Sequence, residues 1–204
     1  TDMNQPLGRC AGNALEVVES IQTLKGEGPE DLTELTITFG ARMLEMAGKA
    51  GDQAEAREIL RKHLRSGAAI KRFKEMVKLQ GGDVSVIDNP LKLPAATLME
   101  KIPAPRAGWI TQVDAELVGK ACSVLGAGRA KVEDKVDLAV GIADLVKVGE
   151  STEKGQPLVT LHANDSTRMA EAKTLLQNAF TIADEKRISS SLVQEMILPE
   201  NVGT

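Results

Sequence analysis

A chain of 204 residues with 42% apolar side chains is long enough for one large or two small domains with a real core, and too apolar for a disordered segment. Aromatic residues make up only 2%, with one Trp, three Phe and no Tyr, and the formal net charge is -4. That combination excludes the stacking platforms and basic surfaces on which nucleic-acid binding depends.

The chain opens on an extended entry and a Pro6-Leu7-Gly8 turn, followed by a helix expected to start at Asn13. The Asn13 side chain is placed to cap the Glu16 amide while Glu16 reaches back, a variant of the capping box. A chain that begins inside so tight a construction is expected to be a cut piece of something longer. Over residues 14–24 the apolar positions Ala14, Leu15, Val17, Val18, Ile21 and Leu24 recur at helical spacing, and Gly26, Gly28 and Pro29 end the run. Pro29 then restarts a helix, with Glu30 and Asp31 at its positive end. Leu32, Leu35, Ile37, Phe39, Met43, Leu44 and Met46 carry that helix to Gly48 and Gly51. Asp52 is expected to cap a third over residues 53–65, buried along Ala56, Ile59, Leu60 and Leu64. After Gly67 a fourth runs through Ile70, Phe73, Met76, Val77 and Leu79 to Gly81-Gly82.

Residues 83–105 hold Pro90, Pro94, Pro103 and Pro105 and read as a linker with short extended pieces, where a domain boundary belongs. Residues 107–113 are strand-like, and Asp114 caps a helix over 115–125 that stops at Gly126-Ala127-Gly128. Residues 138–140 and 142–148 are β-prone, a turn follows at 149–155, and 157–162 is a clear strand. Residues 165–184 pattern as an amphipathic helix with Met169, Ala172, Leu175, Leu176, Ala179, Phe180 and Ala183 inward. The tail 188–197 fits a last strand, and 199–204 is expected to fray. Cys10 and Cys122 are too few and too distant for a disulfide framework or a cysteine metal cluster, and they fit a reduced, cytoplasmic setting. The longest apolar runs are too short for a membrane span, and the first residues carry no signal-peptide pattern.

Three blocks carry a resemblance: TDMNQPLGRCAGNALEVVESI (residues 1–21), KGEGPEDL (25–32), and the stretch 107–163 from AGWITQVDAELVGKACSVLGAG to GQPLVTLHA. Together they closely resemble the second half of bacterial pyrimidine-nucleoside and thymidine phosphorylases. The resemblance implies an α+β fold: residues 1–100 as hinge strand, helices and Pro-rich linker on the flank of the family's large α/β lobe, 101–185 as an α/β hammerhead-like carboxy-terminal domain, and 186–204 as a tail. It implies a pentosyltransferase that reversibly phosphorolyses pyrimidine nucleosides to base and pentose 1-phosphate, and whose family is homodimeric.

The family's Gly-rich phosphate loop, its Ser-Gly-Arg signature and its catalytic His, Arg and Lys have no counterpart in this sequence. No catalytic residue is therefore assigned; phosphate and nucleoside are expected to engage the absent amino-terminal half, the chain alone is expected to be inactive, and an apolar helical face is expected to be left uncovered. In related enzymes a potassium ion is held by two main-chain carbonyls and a Glu, and the matching positions are Leu7, Cys10 and Glu19, the first two acting through backbone oxygen. Hard cations take oxygen ligands. An ordinary helix cap with Glu19 in solvent stands beside that reading, and no organic cofactor is implied.

Other constellations are weaker. Gly126-Ala127-Gly128-Arg129 follows a helix rather than preceding one, so it is a helix stop before it is a phosphate cradle. His63 sits on a charged helix facing solvent, His162 ends a strand, and Cys122 lies mid-helix and buried. The turn VGESTEKGQPL (148–158) resembles that of biotinyl and lipoyl carrier domains, with Lys135 as the lysine to be modified. This carrier or structural role is the alternative function.

Overall fold

The computed structural model describes residues 1–129, 131–187 and 190–197. Helix ends follow the glycine, proline and aspartate punctuation: α1 is Asn13–Leu24, α2 Glu30–Met46, α3 Gln53–Arg65 and α4 Ala68–Leu79. Pro29 is the N-cap of α2, and Asp52 caps α3 by accepting the Glu55 amide at 2.8 Å. Gly67 enters α4 at φ 74°, a left-handed conformation that glycine adopts without steric penalty. α2 and α3 pack together, with Arg57 and Arg61 of α3 both reaching Glu34 of α2.

The first cap departs from expectation. Gly12, not Asn13, is the N-cap of α1, and no side chain caps it; the Asn13 side-chain Nδ2 instead donates to the Ala127 carbonyl at 2.9 Å. Glu16 does reach back, accepting the Gly12 amide at 2.9 Å. Gly12 is free to fill this place because it lies at φ 134°, in a two-residue strand β1 (Ala11–Gly12) that feeds the helix.

The proline-rich stretch is more structured than a linker. It forms α5 (Ser85–Asp88), a 3-10 turn (Pro90–Lys92) and then β2 (Leu98–Pro103), so a boundary between 100 and 101 falls inside a strand. Pro103 is accommodated because β2 is an edge strand and its register shifts between Ile102 and Pro103.

Beyond it come β3 (Gly108–Val113), α6 (Ala115–Leu125), β4 (Gly141–Ala143), β5 (Ser151–Thr152), β6 (Pro157–Ala163), α7 (Ser166–Gln177) and β7 (Phe180–Ala183). Two antiparallel sheets result, ordered β1-β4-β6-β2 and β5-β3-β7. The β-prone run 142–148 is cut short at Asp144, whose φ of 55° ends β4. The expected helix over 165–184 stops at Gln177, where the Asn178 side chain bonds the Thr174 carbonyl, and Phe180 then pairs with Val113. Helical and strand periods both suit so short an apolar run, and the pairing with β3 decides. Residues 190–197 carry no strand, while 188–189 and 198–204 lie outside the described residues.

The fold is α+β, with its main core between the sheets, α6 and α7: Ile110, Val118, Ile142, Val159, Leu161 and Leu176 are all fully buried there. On the helical side Phe39, Met43 and Met46 of α2 and Met76 and Leu79 of α4 remain exposed. Among the described residues no helix is long and apolar enough to cross a membrane.

Candidate functional site

The opening turn is built against α1. Gly8 sits at φ +68°, and a Cβ there would lie 2.2 Å from Glu19 Oε2, so the turn needs glycine for both conformation and space. Glu19, on α1, is only 6% exposed and accepts the Arg9 amide on Oε1 at 2.7 Å. Burial pushes its carboxyl up from the usual glutamate value, while the Arg9 amide and the Cys10 thiol bonded to it pull the other way. Burial, followed by the Glu19 charge, drives that thiol up to about 12, which keeps Cys10 protonated and unreactive. A solvent-facing Glu19 is therefore not what the fold contains.

The same turn is gripped from the carboxy-terminal side. The Lys147 ammonium donates to the carbonyl of Pro6, to that of Gly8 at 2.9 Å, and to Asp31 Oδ2 at 2.7 Å, with its side chain 12% exposed. Asp31 Oδ2 also accepts the Gly8 amide at 3.1 Å. Burial alone would raise the Asp31 carboxyl, but Lys147 and two backbone amides outweigh it and hold the group below its ordinary value. The Arg9 guanidinium pairs with Glu150 and donates to the Leu145 carbonyl at 3.0 Å, while the Leu145 amide returns a bond to the Arg9 carbonyl. The Gln5 side chain accepts the Val148 amide, and the Asn4 carbonyl accepts the Ala115 amide.

A count of backbone acceptors tests the cation site. Pro6, Gly8 and Arg9 all have donors for their carbonyls; among the described residues those of Leu7 and Cys10 have none. Two unclaimed carbonyls and a buried carboxylate are all oxygen donors, the kind a hard monovalent cation takes, and in kind they fit. Cys10 and Glu19 line a cavity of about 280 Å³ with Arg9, Gln22, Pro29 and Asp144; Leu7 does not line it. The structure thus brings Cys10 and Glu19 to one place and leaves the Leu7 side chain exposed at the rim of the turn.

Two family profiles match the chain: the glycosyl transferase family a/b domain over residues 1–70 and the pyrimidine nucleoside phosphorylase C-terminal domain over residues 109–183. The pyrimidine-nucleoside phosphorylase of Bacillus subtilis (strain 168) is 52% identical over 164 residues, covering 80% of this chain and 38% of that protein. Those of Staphylococcus aureus strains MSSA476 and USA300 are 44% and 45% identical over 97% of this chain and 45% of theirs. The chain belongs to the pyrimidine-nucleoside phosphorylase family. It matches the carboxy-terminal part, and spans less than half the length of these relatives.

His63 is exposed on α3; His162, on β6, is partly buried, and burial lowers its pKa against the opposing charge of Asp144. Cys122 is buried, raised to about 12 by burial, and donates to the Ala11 carbonyl at 3.4 Å. Gly126 is the left-handed C-cap of α6, a helix stop. Residues 131–137 form no strand, so Lys135 is not carried on the tight hairpin a biotinyl or lipoyl carrier requires, and the carrier alternative is not favoured. Among the described residues no three His, Cys, Asp or Glu side chains cluster as a metal site. The clamp residues Arg9, Asp31, Lys147 and Glu150 were not singled out from the sequence as functional, although Lys147 is a charge set near the end of the β-prone run 142–148 and Glu150 lies in the turn that follows it.

Proposed function

We propose that this chain serves a pyrimidine-nucleoside phosphorylase: phosphate displaces the pyrimidine from the anomeric carbon of the nucleoside, from the face opposite the base, giving free base and a pentose 1-phosphate. The observation that carries this is the match to enzymes of that name across nearly the whole chain at 44–45% identity. Displacement of this type is accelerated by positioning the two substrates and by cations that stabilise charge gathering on the departing base. The sequence holds no match to the family's catalytic residues, so the contribution of this chain is to build and orient. Residues 1–12 connect helices to sheets, and their clamping by Arg9, Lys147 and Gln5 favours a stiff connection about which lobes close as units.

Potassium at the Leu7 carbonyl, the Cys10 carbonyl and Glu19 belongs to the same proposal. It is supported by the two unclaimed carbonyls and the buried carboxylate; the ion, when bound, supplies positive charge to steady neighbouring anionic groups. A cytoplasmic setting, a role in nucleoside salvage and a homodimeric assembly follow from the resemblance, and the two free cysteines accord with the first.

The experiment is a hybrid in which this chain replaces the matching part of the Bacillus subtilis relative. Release of free base from uridine or thymidine in phosphate buffer is expected from the hybrid, and none from the 204-residue chain alone. A folded hybrid that binds phosphate yet releases no base overturns the proposal, as does turnover by the chain alone.

A further inference from the structure

The geometry of the opening turn points to a residue with a task of its own. Three consecutive peptide groups, 6–7, 7–8 and 8–9, are all held by the pair Lys147–Asp31 and by Glu19. The first offers its oxygen (Pro6) to the Lys147 ammonium. The second gives its N–H (Gly8) to Asp31, which Lys147 also holds. The third gives its oxygen (Gly8) to Lys147 and its N–H (Arg9) to Glu19. Peptide groups are planar, and these three are trans, as are all among the described residues, so within each one the C=O points opposite to the N–H. Anchoring the Gly8 amide on Asp31 therefore turns the Leu7 carbonyl away from the Lys147–Asp31 pair. In the third group the same planarity ties Lys147 on one side to Glu19 on the other.

We propose that Lys147 is a positioning residue for the cluster of Leu7, Cys10 and Glu19: a tethered ammonium, supplied by the carboxy-terminal half, that fixes these planes so that the Leu7 carbonyl and the Glu19 carboxylate are presented to one monovalent cation. This rests on the cation assignment under the proposed function. An ammonium suits the task because it is a compact charge with several donors on a flexible stem, able to satisfy two carbonyls and a carboxylate at once. The device makes the cation site depend on the sheeted half of the molecule, although all three of its own residues lie within the first nineteen.

Amide exchange at Arg9 followed by NMR in the full 204-residue chain tests the grip, since this amide touches neither Lys147 nor Asp31 directly. Lys147→Met is expected to speed Arg9 exchange about tenfold, and the double variant Lys147→Met/Asp31→Asn to stay fast. Restoration in the double variant would reduce Lys147 to an ion-pair partner of Asp31 and overturn the proposal, as would unchanged exchange in the single variant. A measurement on the unmodified chain needs no variant to fold: scalar couplings across the hydrogen bonds from the Lys147 Nζ to the carbonyl carbons of Pro6 and Gly8 are expected, and their absence overturns the proposal.

The cation arm compares thermal midpoints in potassium chloride and in choline chloride at equal ionic strength. Potassium is expected to raise the midpoint of the unmodified chain, and Lys147→Met to reduce that rise by roughly half or more. An equal rise in both proteins overturns the proposal. No rise in the unmodified chain removes the cation assignment itself and the proposal with it, a failure distinct from a rise that Lys147→Met leaves untouched.

Discussion

The helical segment and the sheeted segment are held by different means. Among residues 1–100 only Ala14, Ile21, Ile37, Ala41, Ala56 and Ile87 are buried apolar side chains, and α2 shows Phe39, Met43 and Met46 to solvent. Its polar links to α3 are Arg57 and Arg61 on Glu34 and Gln53 on Glu45. The sheeted segment packs one continuous cluster from Ile102 to Ala179. Exposed or half-exposed ion pairs contribute little net stability, whereas apolar burial is the dominant favourable term in folding. The stability of the chain therefore resides in the sheets, and the first twelve residues share in it because β1 and the Arg9 and Lys147 contacts attach them there.

The contrast is broken most sharply by truncating one apolar side chain on each side. Leu161, fully buried at the centre of β6, should cost about 2–5 kcal/mol when changed to Ala, through lost transfer energy plus a cavity. Phe39→Ser on the exposed face of α2 should stay within about 0.5 kcal/mol. Urea unfolding of both variants is the measurement. A Phe39→Ser cost near that of Leu161→Ala would place core-like packing where the structure has solvent.

The junction between the two parts is the next test. Gly141 and Gly12 face one another across β4 and β1, and a Cβ on Gly141 would sit 2.4 Å from the Ala11 carbonyl oxygen at a φ of +153°. Gly141→Ala should cost about 1–3 kcal/mol in strain and separate β1 from β4. Gly26→Ala, at φ +84° with open space around it, carries the conformational cost without the collision and should cost less. Equal losses for the two, read from thermal midpoints, would mean that the β1–β4 contact is not the seam.

What could be read from the sequence divides along the same line. α1 to α4 and α6 were legible to within a residue or two because their limits are local: Asp52, Asp114 and Gly126 cap or stop a helix through atoms a few residues away, whereas α5 was read as linker and α7 was carried seven residues too far. β2 and β7 were not legible, because nothing local separates an apolar tetrapeptide such as Phe180–Ala183 in a strand from one in a helix; pairing with β3, some seventy residues earlier, decides it. At the candidate site, Leu7, Cys10 and Glu19 came from resemblance. Their surroundings came from Lys147 and Glu150, more than a hundred residues on, where no spacing rule reaches.

Caps supply the converse test, an effect that should be blind to the contrast. Asp52 caps α3 in the thin helical segment and Asp165 caps α7 over the core, accepting the Glu55 and Arg168 amides at the same 2.8 Å. Each Asp→Ala change should cost about 1 kcal/mol, since the lost bond is local in both places. A cost at Asp165 several times that at Asp52, measured by urea unfolding, would show that the cap of α7 also serves the packing beneath it.

The smallest expected effect concerns pH, and it locates one titrating group in the sheets. His162 lies on β6 opposite Gly141 and Met99, and burial lowers its pKa below the usual 6.5 despite the charge of Asp144. The unfolded chain then takes up this proton at a higher pH than the folded chain does. As pH falls through 6.5 the unfolded state gains a proton that the folded state still refuses, so stability declines with falling pH until the folded imidazole is protonated as well. Well above pH 6.5 neither state holds the proton, and there His162 makes no pH-dependent contribution. Urea midpoints between about pH 7.5 and 5 should therefore fall less steeply for His162→Gln than for the unmodified chain, and by a smaller shift than either cap substitution produces. His63→Gln on the exposed face of α3 is the control from the helical segment. If the control flattens the profile and His162→Gln leaves it unchanged, the mildly acidic weakness of the fold belongs to the helices, and the sheets are as indifferent to pH in that range as their apolar core would make them.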